Sequence, residues 1–383
     1  ESIMQVRHRR TDFTEDIFCT IKMTVRGMFL MEPFKVNRDL IKAAVNATLH
    51  RNPMSSCNMF STSTGYCFKE VNSKFKNIEY IELKNKDDWK KTTEDIPLTL
   101  YPLDVNEYRW GIIILEHPEQ VVFLIQACHS LGDIHSINLL FDSLLRYYAA
   151  FSKGIKFDPE SEFFKRLNFP PPLFSAVYPE GLPFNNMKEM VNQLKDPKLI
   201  SNTPKLRVPQ NTTDFTPSKK GIYLSYRESD PLKLQELKSY LKKQALSLNS
   251  FYIAASIIAL VSLHNEKEES KTSVLLSKNA RTMTKADYSK AAVNYALSHS
   301  LNNIEVDTEK TFLEYAFEVS EILEKSRHQC LTDLLKLNQI DITPNMNDSA
   351  SQVRFDCCLG NLGVYLNPHE YTIRNEEKEE KTI

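Results

Sequence analysis

Val121-Val-Phe-Leu-Ile-Gln-Ala-Cys-His129-Ser-Leu-Gly-Asp133 runs directly into Ile134-His-Ser-Ile-Asn-Leu-Leu-Phe-Asp-Ser-Leu-Leu-Arg146. The residues from Val121 to Cys128 are nearly all apolar, which fits a strand buried on both faces. Beyond Asp133 the apolar positions Ile137, Leu140, Phe141, Leu144 and Leu145 recur at helical spacing. The pattern predicts a strand, a short turn and a helix, with His129 and Asp133 in the turn. Strand-to-helix junctions hold reactive groups at the mouths of clefts, so His129 is the leading candidate for a catalytic base.

Working outward, the strand ending at His129 is the second arm of an expected hairpin. Trp110-Gly-Ile-Ile-Ile-Leu-Glu116 is the first arm and His117-Pro-Glu-Gln120 the turn. Upstream, Asn37 caps a predicted helix that reaches Leu49 and is stopped by Pro53. The alternating stretch Phe18 to Phe29 reads as a pair of strands. The helix that begins at Ile134 is expected to run to about Phe151, closing a first half at residues 1–154.

Residues 155–217 are rich in proline, with Pro170-Pro-Pro172 the densest point, and read as a crossover linker with a short helix near Met187 to Leu194. In 218–383 the order of elements is repeated without any sequence repeat. Ile222 to Tyr226 is a predicted strand, and Pro231 opens a helix to about Leu246. Ser250 is expected to cap a buried helix to Leu263. Thr272 to Lys278 reads as a strand, Thr308 to about Gln329 as an amphipathic helix, and Val353 to Leu359 and Leu362 to Leu366 as strands. Asn375-Glu-Glu-Lys-Glu-Glu-Lys381 is expected to be a solvated, frayed charge run.

A chain of 383 residues exceeds one ordinary domain, and its net charge of −1 argues against nucleic acid as a bulk electrostatic partner. No apolar run reaches the ~18 residues that span a bilayer, so no integral membrane segment is expected. The seven cysteines are scattered and odd in number, which argues against a disulfide framework and for a cytoplasmic setting. Asn46, Asn211 and Asn347 head glycosylation sequons and leave secretion open, but Asn46 lies inside a predicted helix. The N-terminus does not read as a signal peptide.

Four landmarks occur in order: Ala47-Thr-Leu-His-Arg51-Asn-Pro-Met54, His129-Ser-Leu-Gly-Asp133, Ser273-Val-Leu-Leu-Ser-Lys-Asn-Ala-Arg281 and Gly360-Asn361-Leu362-Gly363. With these the chain resembles the CoA-dependent acyltransferase superfamily carrying the HxxxD motif, which includes alcohol acetyltransferases, plant BAHD enzymes and condensation domains of peptide synthetases. The resemblance implies an α/β fold of two chloramphenicol-acetyltransferase-like halves, each a mixed sheet flanked by helices, with a channel between them. It also implies that Asp133 pairs with Arg281, locking the histidine loop and stapling the halves, and that Asn361 and Gly363 shape the substrate channel. Cys128 and Ile134 stand where the family often has histidine and glycine, Gly360 where it has serine, and the DFGWG motif of the plant enzymes is absent.

The function implied is acyl transfer, most simply acetyl transfer from acyl-CoA to a small-molecule alcohol (or amine), with neutral His129 as general base and no acyl-enzyme. Acyl-CoA is then a co-substrate, no cofactor or metal is bound, and a monomer is expected. Two alternatives stand beside it. One is a condensation-type acyltransferase that forms an amide from a carrier-protein thioester. The other, motivated by Ile134, Gly360 and a C-terminus shorter than its relatives', is a degenerate, non-catalytic binding protein. A metal site at His129, Asp133 and His135 is disfavoured because helical geometry turns His135 away, and Cys128 is disfavoured as a nucleophile because strand alternation points it opposite to His129.

Overall fold

A computed structural model of the chain describes residues 8–11, 15, 23–63, 65–71, 73–97, 107–180, 229–264, 271–305, 307, 309–325, 357–360, 370–374 and 379–383. Packing divides the chain into two units: Glu1–Pro183 with Asn279–Tyr295 and Leu362–Ile383, and Phe184–Lys278 with Ala296–Asn361. Two segments from beyond the proline-rich stretch therefore pack with the first unit.

The first unit is organised by a four-stranded mixed sheet in the order β2 (Thr24–Met31), β7 (Gln120–Cys128), β6 (Trp110–His117) and β5 (Ile78–Glu82). The expected hairpin is present, with β6 and β7 antiparallel and paired from Trp110–Ala127 to His117–Gln120. β2 pairs antiparallel with β7, and β5 runs parallel to β6. A smaller antiparallel sheet of β1 (His8–Arg10), β4 (Gly65–Glu70) and β3 (Cys57–Thr62) accompanies it. The helix α2 (Asp88–Asp95) lies between β5 and β6 in the chain.

Two helices cover one face of the large sheet. α1 (Arg38–Arg51) starts where Asn37 Oδ1 accepts from the backbone N–H groups of Asp39 and Leu40, at 3.0 and 3.1 Å. Pro53 lies just beyond its end and opens a short 3₁₀ turn, Pro53–Ser56. α3 (Ile134–Ser152) is capped by Asp133 and buries Ile137, Leu140, Phe141, Leu144 and Leu145, the apolar positions read from the sequence. These side chains pack on Val121, Phe123, Ile125 and Ala127 of β7. The opposite face of β7, with Val122, Leu124, Gln126 and Cys128, is buried as well. This accounts for its lack of polar alternation.

Gly27 in β2 explains how closely α3 approaches the sheet, since a Cβ there would collide with Ile137 Cγ2. The proline-rich stretch contributes a short helix, α4 (Leu173–Val177), to the first unit. The predicted helix at Met187 to Leu194 and strands at Ile222 to Tyr226 and Leu362 to Leu366 lie outside the described residues.

Of the charge run near the C-terminus, residues 379–381 are described, and they depart from the frayed tail expected. β11 (Thr372–Arg374) and β12 (Glu380–Thr382) form an antiparallel ribbon. Tyr371, Ile373 and Ile383 are buried in the same core as α3, and the Tyr371 hydroxyl donates to Asp142 Oδ1 at 2.8 Å. Tyr371 and Ile373 precede the charged residues and Ile383 follows them, and these three apolar anchors fix the ribbon.

The second unit contains a sheet in the order β10 (Cys357–Gly360), β8 (Lys271–Asn279) and β9 (Ala296–Glu305), with β10 parallel to β8. Its helices are α5 (Pro231–Lys243), α6 (Leu248–His264) and α7 (Phe312–Lys325). Ile253, Ala254 and Ile257 of α6 pack with Val274, Leu276, Tyr315, Ala316 and Val319. The Ser250 backbone N–H donates to Ser247 Oγ at 2.9 Å, so the cap of α6 lies three residues earlier than expected. Among the described residues, no helix is long and apolar enough to cross a membrane.

Candidate functional site

β7 delivers His129 one residue beyond its last paired position. The His129 backbone N–H donates to Met23 O at 2.8 Å, and Leu131 N–H closes the turn on Cys128 O at 2.9 Å. Gly132 follows, and a Cβ there would lie 2.7 Å from Ser136 Cβ. A side chain at this position would push the turn away from the first turn of α3. The residue before Asp133 is therefore glycine for a packing reason.

Asp133 satisfies two tasks with one carboxylate. Its Oδ1 accepts from the backbone N–H and the hydroxyl of Ser136, each at 2.9 Å, capping α3. Its Oδ2 accepts from Arg281 Nη1 at 2.6 Å and from the backbone N–H of Tyr295 at 3.1 Å. Both side chains are buried, with 3% of Arg281 and 5% of Asp133 exposed, so this pair escapes the screening that weakens surface ion pairs. Burial alone would push the Asp133 carboxyl up. The charge and hydrogen bond of Arg281, with the bonds from Ser136, outweigh it and hold the group below the usual carboxylate range.

Arg281 sits in a 3₁₀ turn, Ala280–Met283, opened by Asn279, whose Oδ1 accepts from Arg281 N at 3.0 Å and Nη1 at 3.2 Å. Its Nη2 donates to Val293 O at 2.6 Å, Ser136 Oγ at 3.0 Å and Ala291 O at 3.1 Å. Ser136 Oγ also accepts from Val293 N–H at 2.9 Å and lies 2.7 Å from Val293 O. The ion pair foreseen between Asp133 and Arg281 thus forms, embedded in a network. Both partners belong to the first unit. The pair joins 1–154 to 218–383, as the resemblance implied, and the two joined segments pack within the first unit.

Ser136, Asn279, Ala291, Val293 and Tyr295 are the members of this network that the sequence reading missed. A signal for Ser136 was available, because an aspartate cap accepts from the residue three positions on. No pattern in a single sequence announces the backbone groups of Val293 and Tyr295, which arrive from more than 150 residues away. Asn361 and Gly363 lie outside the described residues.

The His129 ring is partly buried. Burial lowers its pKa from the ordinary 6.5, against the opposing pull of a hydrogen bond to its own backbone and the charge of Asp133. The imidazole is therefore neutral at neutral pH, the form a general base requires. Cys128 faces the buried side, its Sγ 2.9 Å from Ser130 Oγ. His135 Nε2 engages Ser289 O at 3.0 Å, and both oxygens of Asp133 are taken, so these residues do not form a metal-ligand set with His129. Ile134 is partly buried against the main core.

No protein-family model matches the chain, and no curated protein sequence does. Solved structures do resemble it. The first condensation domain of the CDA synthetase superposes with a TM-score of 0.66 at 9% identity, covering 94% of this chain and 83% of that one. The condensation domain of the monacolin K polyketide synthase MokA gives 0.59 at 12% identity, covering 92% and 78%. Polyketide synthase associated protein 5 from Mycobacterium tuberculosis gives 0.57 at 14% identity, covering 83% and 73%. At these identities the likeness is one of fold, and the chain has the chloramphenicol-acetyltransferase-like α/β fold of condensation domains.

Proposed function

We propose that the chain is an acyltransferase of the condensation type, in which His129 takes a proton from an amine or hydroxyl acceptor as that acceptor attacks an acyl thioester. The acceptor's nitrogen or oxygen forms a bond to the thioester carbonyl carbon, and the carbon–sulfur bond breaks. The leaving thiolate then takes up the proton held by the imidazolium. A positioned base of this kind contributes typically 10²–10⁴-fold. Asp133 and Arg281 position the turn and take no part in proton transfer.

The observation that carries this reading is a neutral, partly buried imidazole on a turn whose neighbouring carboxylate is fully engaged elsewhere. The fold shared with condensation domains supports it. That likeness favours a donor thioester borne on a carrier-protein arm. Acyl-CoA, the donor expected from the sequence, offers the same thioester on the same phosphopantetheine arm.

The test is to incubate the protein and its His129→Ala variant with acyl-CoA and with acylated carrier protein, each against panels of amines and alcohols. Free thiol and product mass are followed. Acceptor-dependent thiol release that disappears in the variant is the expected result. Absence of such release from both donors, or release that survives the substitution, overturns the reading and favours a binding protein built on this fold.

A further inference from the structure

A cavity lies in the first unit, and its lining includes no residue of the His129 turn. It has a volume of about 580 Å³ and lies among the segment before α1, the end of α3 and the terminal ribbon. Its chemistry is divided. Phe34, Leu40, Phe151 and Ile373 are buried or partly buried and form an apolar wall, while Lys35, Arg374 and Lys381 are exposed at the rim. None of the lining residues is acidic. Glu380 approaches Arg374 across the terminal ribbon, at 3.8 Å.

The walls are fastened to one another, so the cavity is formed in advance of any ligand. The Tyr148 hydroxyl oxygen accepts from Asn37 N–H at 3.0 Å, fixing the segment that carries Phe34 and Lys35. Phe34 packs edge-on against Tyr148, with ring centroids 5.8 Å apart. Ser152 Oγ accepts from Arg374 N–H at 2.9 Å, and Lys381 Nζ donates to Pro33 O at 2.5 Å. Three separate parts of the chain thus close on one space: the entry to α1, the end of α3 and the terminal ribbon. The volume falls in the range typical of small-molecule sites.

We propose that this cavity binds an amphipathic anion, with an aliphatic body against Phe34, Leu40, Phe151 and Ile373 and a carboxylate or phosphate head among Lys35, Arg374 and Lys381. The apolar wall supplies the area term. The cationic rim selects the sign of the head group, and because it is exposed its contribution falls with salt.

The test is calorimetric titration of the full chain with decanoate, decan-1-ol and decyltrimethylammonium, each kept below its micellar concentration. Decanoate is expected to bind at one site, with decanol and the cation each weaker by about tenfold or more. The Lys35→Glu, Lys381→Glu double variant should weaken decanoate by a similar factor, and Lys381→Met, which also loses the bond to Pro33 O, should weaken it less. Leu40→Trp, which fills the cavity, should abolish binding. His129→Ala should leave decanoate binding unchanged, which separates this cavity from the acyl-transfer site. Equal affinity for decanol and decanoate, unchanged binding in the double variant, or loss of binding in His129→Ala overturns the proposal.

Discussion

Arg281 Nη1 lies 2.6 Å from Asp133 Oδ2, although the two residues are 148 positions apart in sequence. Between them they make or accept eight further polar contacts with Ser136, Asn279, Ala291, Val293 and Tyr295. The His129 turn is the element directly tethered to this cluster.

Removing one partner leaves the other charged and buried. Asp133→Asn and Arg281→Met should each destabilise the fold by about 3–5 kcal/mol. The double variant should cost less than the sum of the two, because the pair acts as a unit. Chemical denaturation of the four proteins measures this directly, and additive losses would show that the ion pair is not the source of the stability.

The same pair sets an acid limit. The folded-state pKa of Asp133 is depressed below its unfolded value, which lies near 3.9. Its contribution is therefore fully present above about pH 4 and is lost as pH falls through the folded-state value. A plot of unfolding free energy against pH should drop over that acid window in the wild type. In Asp133→Asn the drop should be shallower.

His129 titrates in the other region of interest. Because burial lowers its pKa beneath 6.5, it is the neutral form that persists through neutral pH. If it is the base, the acid limb of the rate profile should fall at a pH below that of free imidazole, and activity should be level from there through neutrality. An acid limb at or above 6.5 would assign the limb to another group. His129→Ala should lower turnover by about 10²–10⁴-fold, while leaving the far-ultraviolet circular dichroism spectrum unchanged.

Gly27 offers a packing test remote from any chemistry. Gly27→Ala forces a methyl into Ile137, so it should cost roughly 1–3 kcal/mol. Combining it with Ile137→Ala, which removes the colliding Cγ2, should cost less than the sum of the two single losses. Failure of the second change to help would mean the helix shifts away from β2 as a body.

The terminal ribbon can be tested in the same way. Ile373 is 4% exposed and packs with α3, so Ile373→Ala should cost about 2–4 kcal/mol. A frayed tail, as the charge run suggests on its face, would make that substitution nearly silent.

Much of this was legible because hydrophobic periodicity and capping chemistry are local. The hairpin ending at Cys128, the helix beginning at Ile134 and the cap at Asn37 each follow from adjacent residues. The Asp133–Arg281 pair was read through resemblance, since nothing local joins those positions. β3, β4, β5 and β9 went unread because they are short or mix polar and apolar residues without clean alternation. The ribbon near the C-terminus went unread because its stability comes from Tyr371, Ile373 and Ile383 meeting α3, a long-range fact.

The Asp133 carboxylate also dictates an order of assembly. A growing chain that has emerged only as far as Val177 already carries β7, the turn and α3, yet lacks the guanidinium that Asp133 requires. Until Arg281 and Tyr295 are made, Asp133 Oδ2 must stay hydrated or take up a proton, and the turn is held only by the local bonds of Oδ1 to Ser136. The histidine turn is thus written early in the polypeptide and completed late, so fragments that stop short of residue 281 should carry the motif without its geometry.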